Sequence, residues 1–346
     1  MHRTKRAVPG PASTTAGPSP SRKDFLLGGL SAAALLGLAA CGSPAPASSG
    51  AAAAGFPAEV KHKFGTTVVP SAPRRVVSAG STSQDHLLAL GVIPVGITDW
   101  YGDQPDATWP WAHARLGDSH PTVLSAADGY AFEKIAALAP DLIVAANDGM
   151  KESDYKKLSA IAPTIAQSGE FADYAVPWDV QTLSIGLALG KKDEAQALVD
   201  GIKARFTAEK GKHPELVGKK AIFLQNAVYD GSVIAYQNGL STEFLTELGL
   251  VVPAGLEKFA KDAQAFIPLE QLSVLNQADV LIWATEKDSD ETALHKVPGF
   301  DQLNAVKAGR SLYTGGILSG AIYFTSPLSL PYVLDHLVPE LSTALK

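Results

Sequence analysis

The sequence predicts an α/β fold of two similar lobes, with parallel-rich central sheets flanked by helices, a long interlobe helix and a ligand cleft between the lobes. Three observations lead there. The phrase FEKIAALAPDLIVA (Phe132–Ala145) returns later as LEQLSVLNQADVLIWA (Leu269–Ala284). In both copies a glutamate opens an apolar helix, and an aspartate (Asp141 or Asp279) then precedes an unbroken apolar run. Such runs, alternating with helices, are the mark of parallel strands buried on both faces. Between the copies, Trp178 to Leu216 keeps a helical period, with Val180, Leu183 and Leu187 and then Leu198, Ile202 and Phe206 on one face each, interrupted at Gly190.

The chain opens with residues 1–58, dominated by Pro, Ala, Ser and Gly. Their one long apolar run, FLLGGLSAAALLGLAA (Phe25–Ala40), has 16 residues, short of the about 20 that a membrane span needs. Basic residues precede it (Arg3, Lys5, Arg6, Arg22, Lys23) and small ones end it, so 1–40 reads as a secretory signal peptide. SRKDFL resembles a twin-arginine export motif with Lys23 in place of the second arginine, which leaves that route and the general secretory route both open. The single cysteine, Cys41, follows Leu38-Ala39-Ala40 and precedes Gly42, an arrangement that resembles the lipobox of bacterial lipoproteins. The resemblance implies that Cys41 is diacylated and becomes the new N-terminus. One acyl chain binds a membrane marginally, whereas two give a lasting anchor. Residues 41–58, with GSPAPASSGAAAAG, then form a flexible tether too small and polar to bury a core.

Residues 1–40 hold five of the chain's 29 Lys/Arg and one of its 35 Asp/Glu, so 24 basic and 34 acidic residues remain, a net charge of −10. So acidic a body argues against nucleic acid as a partner.

The first lobe, 59–177, contains RRVVSAGSTSQDHLLALGVIPVG (Arg74–Gly96): a basic pair, a β-rich run, a polar loop, an apolar helix ending in Leu-Gly, and a second strand. The C-terminal lobe, 217–346, repeats that order as KKAIFLQ, a longer polar and aromatic insert, and STEFLTELGLVVPAG ending at Gly255. Residues 178–216 form the helical connection, whose second part, about Lys192 to Lys212, is long enough to cross from lobe to lobe as a stiff backbone. Facing lobes of this kind place ligands at the carboxyl ends of their parallel strands.

The loop DWYGDQPDATWPW offers Trp100, Tyr101, Trp109 and Trp111 among Gly, Pro and Asp. These rings make a platform for a large, partly apolar ligand or a cationic one, or else cover the edge of the lobe core. On the second lobe the matching candidates are Tyr236, Trp283 and Tyr323, with Trp283 equally readable as a strand-end core residue. Ser78, in the loop segment Ser78–Thr82, and Asn147 follow predicted strands and are candidate hydrogen-bonding groups by topology alone.

From about residue 60 onward the chain resembles the extracytoplasmic substrate-binding proteins of ABC importers for ferric siderophores, haem and cobalamin. The resemblance rests on RRVVSAGSTSQDHLLALGVIPVG, FEKIAALAPDLIVA, PLEQLSVLNQADVLIW and SPLSLPYVLDHLVPEL (Ser326–Leu341), the last two being most like the ferric-siderophore branch. It implies a receptor, lipid-anchored on the outer face of the cytoplasmic membrane, that captures a ferric siderophore and delivers it to an ABC permease dimer. It implies no enzymatic activity and no cofactor. It also implies docking on permease arginines through one glutamate per lobe, here Glu133 and Glu270; by themselves these are first-turn carboxylates favoured by the helix dipole and repeated by duplication. Ferric catecholates and ferric citrate are anionic and want arginines, and by sequence only Arg115 and Arg310 stand near the predicted cleft loops. A neutral or cationic ferric hydroxamate suits acidic, aromatic loops better. A haem or cobalamin receptor of the same fold is the alternative.

Two rivals belong to other classes. A bare-metal-ion receptor needs three or four converging His and carboxylate ligands, but the eight histidines are scattered; His86 and His336 read as solvated helix residues, and no metal ligand is assigned. An enzyme would show a catalytic motif, and G-x-S-x-G, H-E-x-x-H, a P-loop and G-x-G-x-x-G after a strand are all missing. A carboxylate-dependent hydrolase, which needs only Asp and Glu, stays as the enzymatic alternative.

Overall fold

The repeated apolar runs become interior strands of two sheets. The computed structural model describes residues 55–99 and 101–346. Residues 1–40, read above as a signal peptide, Cys41, the expected tether up to residue 54 and Trp100 lie outside the described residues.

The chain first forms an antiparallel hairpin, β1 (Ala58–His62) and β2 (Gly65–Val69), and then β3 (Val76–Ser78), α1 (Ser83–Ala89) and β4 (Gly96–Asp99). Next come α2 (Pro110–His113), β5 (Thr122–Ser125), α3 (Phe132–Ala137), β6 (Leu142–Ala145), α4 (Glu152–Ser159) and β7 (Thr164–Ala166). The five strands β3 to β7 pair in parallel in the order β5-β4-β3-β6-β7. Side chains of β3 and β6 alternate between two cores: Val76, Leu142 and Val144 on one face, Val77, Ile143 and Ala145 on the other. That is why neither run could alternate with polar residues. Strand order reverses between β3 and β6, so the loops leaving their carboxyl ends diverge and open a crevice there.

Two helices follow, α5 (Trp178–Ala188) and α6 (Lys192–Lys212). Gly190 sits between them at φ +68, a conformation that a side chain disfavours. α6 begins in the core of the first lobe with Ala195 and continues in that of the second with Val199, Ile202 and Phe206. Leu183 and Leu198 touch both cores. The connection therefore belongs to both lobes, and the described residues fall in one compact unit.

The second lobe runs β8 (Ala221–Tyr229), β9 (Ser232–Tyr236), α7 (Glu243–Glu247), β10 (Ala260–Lys261), β11 (Gln264–Pro268) and β12 (Val280–Ala284). It ends with α8 (Asp288–Leu294), α9 (Asn304–Lys307), β13 (Ser311–Tyr313), α10 (Gly315–Tyr323) and α11 (Ser329–Leu345). Its sheet, β10-β11-β9-β8-β12-β13, is parallel only across β8, β12 and β13. The polar and aromatic insert of the second copy folds back as the antiparallel strand β9, turning at Asp230-Gly231, where both residues take the positive φ that a tight hairpin demands. The second copy also differs at Glu270. Its helix is a 3₁₀ helix over Leu269–Gln277, and the three-residue spacing of Leu269, Leu272 and Leu275 lines them up along one side of a three-residue turn.

The repeated aspartates have a structural role. Asp141 accepts the backbone N–H groups of Arg74 and Arg75 at 2.8 Å each, and Asp279 accepts that of Lys220 at 2.8 Å. Each copy of the phrase is thus stitched to the basic pair that opens its own lobe.

Candidate functional site

The carboxyl ends of the parallel strands face a cavity of about 340 Å³ between the lobes. The first lobe supplies Ser81 and Thr82 after β3, Tyr101 after β4 and Asn147 after β6; the second supplies Tyr323 and Phe324 at the end of α10. An annex of about 380 Å³ in the first lobe shares Ser81 and Tyr174 with it and adds Tyr130, Asp148 and Lys151. Tyr130 donates its hydroxyl to Asp148 Oδ2 at 2.6 Å. Burial raises the Asp148 carboxyl above its ordinary value, and burial followed by the Asp148 charge raises the Tyr130 phenol.

Three of the sequence candidates meet at the cavity: Tyr101, Asn147 and Tyr323. Asn147 also fixes the loop before α5, its Oδ1 accepting the Val176 N–H at 3.2 Å. The aromatic loop does not lie open as a platform. Trp109 is buried, with its ring stacked between Tyr101 (6.0 Å between centroids) and Trp111 (4.9 Å). Of the described rings in this loop only Tyr101 lines the cavity, 40% exposed and packed at 5.1 Å on Phe324 of the other lobe. Trp109 and Trp111 brace it from behind.

Ser78 and Trp283 are fully buried. The two-residue alternation of β12 sends Trp283 into the face opposite Ile282, against Phe300, so it is a core residue. Tyr236 is also mostly buried, stacked on Phe223 at 5.1 Å and 5.9 Å from Tyr323, with its hydroxyl accepting Gln225 Nε2 at 3.2 Å. It supports Tyr323 rather than lining the cavity. Glu133 and Glu270 are exposed at the first turns of their helices, and neither lines the cavity. Arg115 is exposed on a 3₁₀ turn, and Arg310 sits at the amino end of β13, away from the carboxyl ends that form the site.

His86 is a correction. It is fully buried beside buried Asp85, whereas His336 is exposed as expected of a solvated helix residue. α1 carries Ser83, Gln84, Asp85 and His86 into the joint between the lobes, so both of its faces are covered. Thr182 donates its hydroxyl to Trp178 O at 2.7 Å, which leaves His86 Nδ1–H to donate to Thr182 Oγ1 at 2.9 Å. Burial pushes His86 down to about 3, so the ring is neutral. Asp85 Oδ2 accepts Trp111 Nε1–H at 2.7 Å and, across the lobes, the Ser326 hydroxyl at 2.6 Å. Ser326 Oγ in turn accepts the Leu328 and Ser329 N–H groups that open α11. Burial raises Asp85 to about 6 against the lowering effect of those two hydrogen bonds.

The sequence reading missed Tyr174, Gln181 and Glu286. Tyr101 donates its hydroxyl to Glu286 Oε1 at 3.0 Å and so bridges the lobes at the cleft rim. The available signal was positional, since Glu286 stands two residues beyond β12 and Tyr174 in the loop that follows β7.

Two α/β lobes, a shared helix and a cleft at the strand ends define a two-lobed ligand-binding protein. A family model described as periplasmic binding protein matches residues 76–317, and the chain belongs to that family. It is 29% identical over 302 residues to the probable siderophore-binding lipoprotein YfiY of Bacillus subtilis (strain 168), covering 80% of this chain and 86% of that one. The crystal structure of a periplasmic solute binding protein from Mycobacterium smegmatis superposes with a TM-score of 0.78 at 46% identity, covering 84% of this chain and 99% of that one. Streptococcus pneumoniae PiaA in complex with ferrichrome gives 0.69 at 28% identity, covering 83% and 98%.

Proposed function

We propose that this chain is the extracytoplasmic receptor of an ABC importer for iron, capturing a ferric siderophore in the interlobe cleft. The carrying observation is the cavity itself, whose lining is hydroxyl, amide, aromatic and aliphatic, with no Lys or Arg among the described residues that form it; the one cation of the adjoining annex, Lys151, stands there with Asp148 and Asp154. Such a wall suits a bulky neutral or cationic chelate such as a ferric hydroxamate; an anionic catecholate or citrate complex would meet no compensating charge there. The relatives named for siderophore binding and for a ferrichrome complex support the ligand class. Export, a lipid anchor on Cys41 and a place on the outer face of the cytoplasmic membrane complete the reading. Glu133 and Glu270, one per lobe, are the docking points for the permease dimer.

The receptor does no chemistry. Its action is a binding equilibrium, and its rigid shared helix limits lobe movement.

Titrating the purified protein with ferrichrome, a ferric catecholate, ferric citrate, haem, cobalamin and zinc, and following tryptophan emission and heat, tests this. Saturable binding of the ferric hydroxamate, and much weaker binding of its iron-free form, is the expected result. A flat response to every iron complex refutes the reading, and tight one-to-one zinc binding replaces it with the bare-metal receptor.

A further inference from the structure

We infer that Glu286, hydrogen-bonded to the Tyr101 phenol at the cleft rim and linked to Tyr229 through Asp290 and Asn226, is a cation-recognising subsite that takes an alkylammonium arm of the bound ferric complex. This rests on the receptor reading and adds to it a preference, among ferric hydroxamates, for complexes that carry a positive substituent. Glu286 follows the carboxyl end of β12, on the second lobe's side of the cleft, and is joined to the cavity wall by the Tyr101 hydrogen bond to Oε1. Its other oxygen, Oε2, accepts no hydrogen bond from the described residues, and no Lys, Arg or His pairs with it among them. The nearby acid is otherwise engaged: Asp290 Oδ2 accepts the Glu286 and Lys287 N–H groups and Asn226 Nδ2. The one cation in this stretch, Lys287, has its resolved charge interaction with Asp290. Glu286 is therefore a single uncompensated carboxylate beside an aromatic-walled cavity.

The surrounding phenols feel that charge. After burial, Glu286 raises the hydroxyls of Tyr101, to about 12, and of Tyr229; at Tyr323 it adds to the larger effects of burial and Tyr236. These rings thus stay neutral, with faces that attract a cation; the Tyr101 and Tyr229 hydroxyls give their protons to Glu286 and Asn226, which leaves their oxygens able to accept from an ammonium. Tyr101 lines the cavity and is 40% exposed, so an arm projecting past it from a complex seated in the cavity comes to the carboxylate that Tyr101 holds. An ammonium placed there gains a charge-assisted hydrogen bond to Oε2 and the ring faces together.

The test uses two ferric complexes with the same iron coordination: ferrioxamine B, which bears a free protonated amine, and its N-acetyl derivative, which is neutral. Both are titrated into the purified protein and into Glu286→Gln at neutral pH. The natural chain should bind the amine form about tenfold more tightly, and Glu286→Gln should erase that preference by weakening the amine form alone. Glu286→Asp should keep part of it. Equal affinities in the natural chain, or a Glu286→Gln loss shared equally by both complexes, overturn the inference and leave the receptor reading standing. No binding of either complex overturns this inference together with the hydroxamate assignment.

Discussion

At the scale of single residues, Asp85 makes a specific prediction. A carboxylate that is fully buried and raised from 3.8 to about 6 binds its proton more tightly folded than unfolded. The stabilisation this gives is complete below the unfolded value near pH 4 and is lost as pH rises through about 6. Its upper bound is on the order of 3 kcal/mol. Asp85→Asn keeps an oxygen for Trp111 and Ser326 and removes the charge, so it should flatten the pH dependence of melting between pH 4 and 6.5. A melting profile as steep as the natural chain's would show that other groups set it. The partner histidine explains why this joint was illegible: Asp85-His86 within a helix looks like a solvated pair, and only the covering of α1 by α5 and the Ser326 loop decides otherwise.

At the scale of elements, the two lobes meet where the Trp109 ring presses on α10. A Cβ at Gly320 would stand 2.7 Å from two Trp109 ring carbons. Alanine normally gains about 1 kcal/mol over glycine inside a helix. Here Trp109 is clamped between two rings and cannot yield, so overpacking, about 1–3 kcal/mol, outweighs the gain. Gly320→Ala should therefore lower the melting temperature and shift tryptophan emission, and a more stable variant would show that the stack is free to move. The elements themselves were mostly legible. The runs LIVA and VLIWA announced buried parallel strands, and the interruption at Gly190 fell where α5 ends and α6 begins. The antiparallel β9 was not legible, because a polar and aromatic insert is compatible with a loop or a hairpin until it finds a strand to pair with.

At the scale of the whole molecule, Glu133 and Glu270 stand exposed on separate lobes and outside the cavity. Reversing both, Glu133→Arg with Glu270→Arg, should leave the affinity for the ferric complex within about twofold while abolishing uptake by cells, since surface charges away from a site contribute little to it. A large loss of affinity in the purified double variant would instead tie these residues to the cleft. If both glutamates dock as proposed, two points held at once reinforce each other by effective concentration, so either single reversal should weaken uptake less than the pair. The span of α6 through both cores ties the two lobes that carry these glutamates.

What the sequence determined by itself was the periodic and the repeated: two copies of one α/β unit, a helix long enough to join them, and an exposed glutamate at the head of each copy. Those are local patterns, set by which residues must face a core every second or every third to fourth position. Only the tertiary structure decided which aromatic rings line the cavity. Trp109, Trp283 and Tyr236 are as aromatic as Tyr101 and Tyr323, and burial, a property of neighbours distant in sequence, turned the first three into support and left the other two at the cleft. Glu286 was decided the same way, by a tyrosine 185 residues earlier that folding brings within a hydrogen bond.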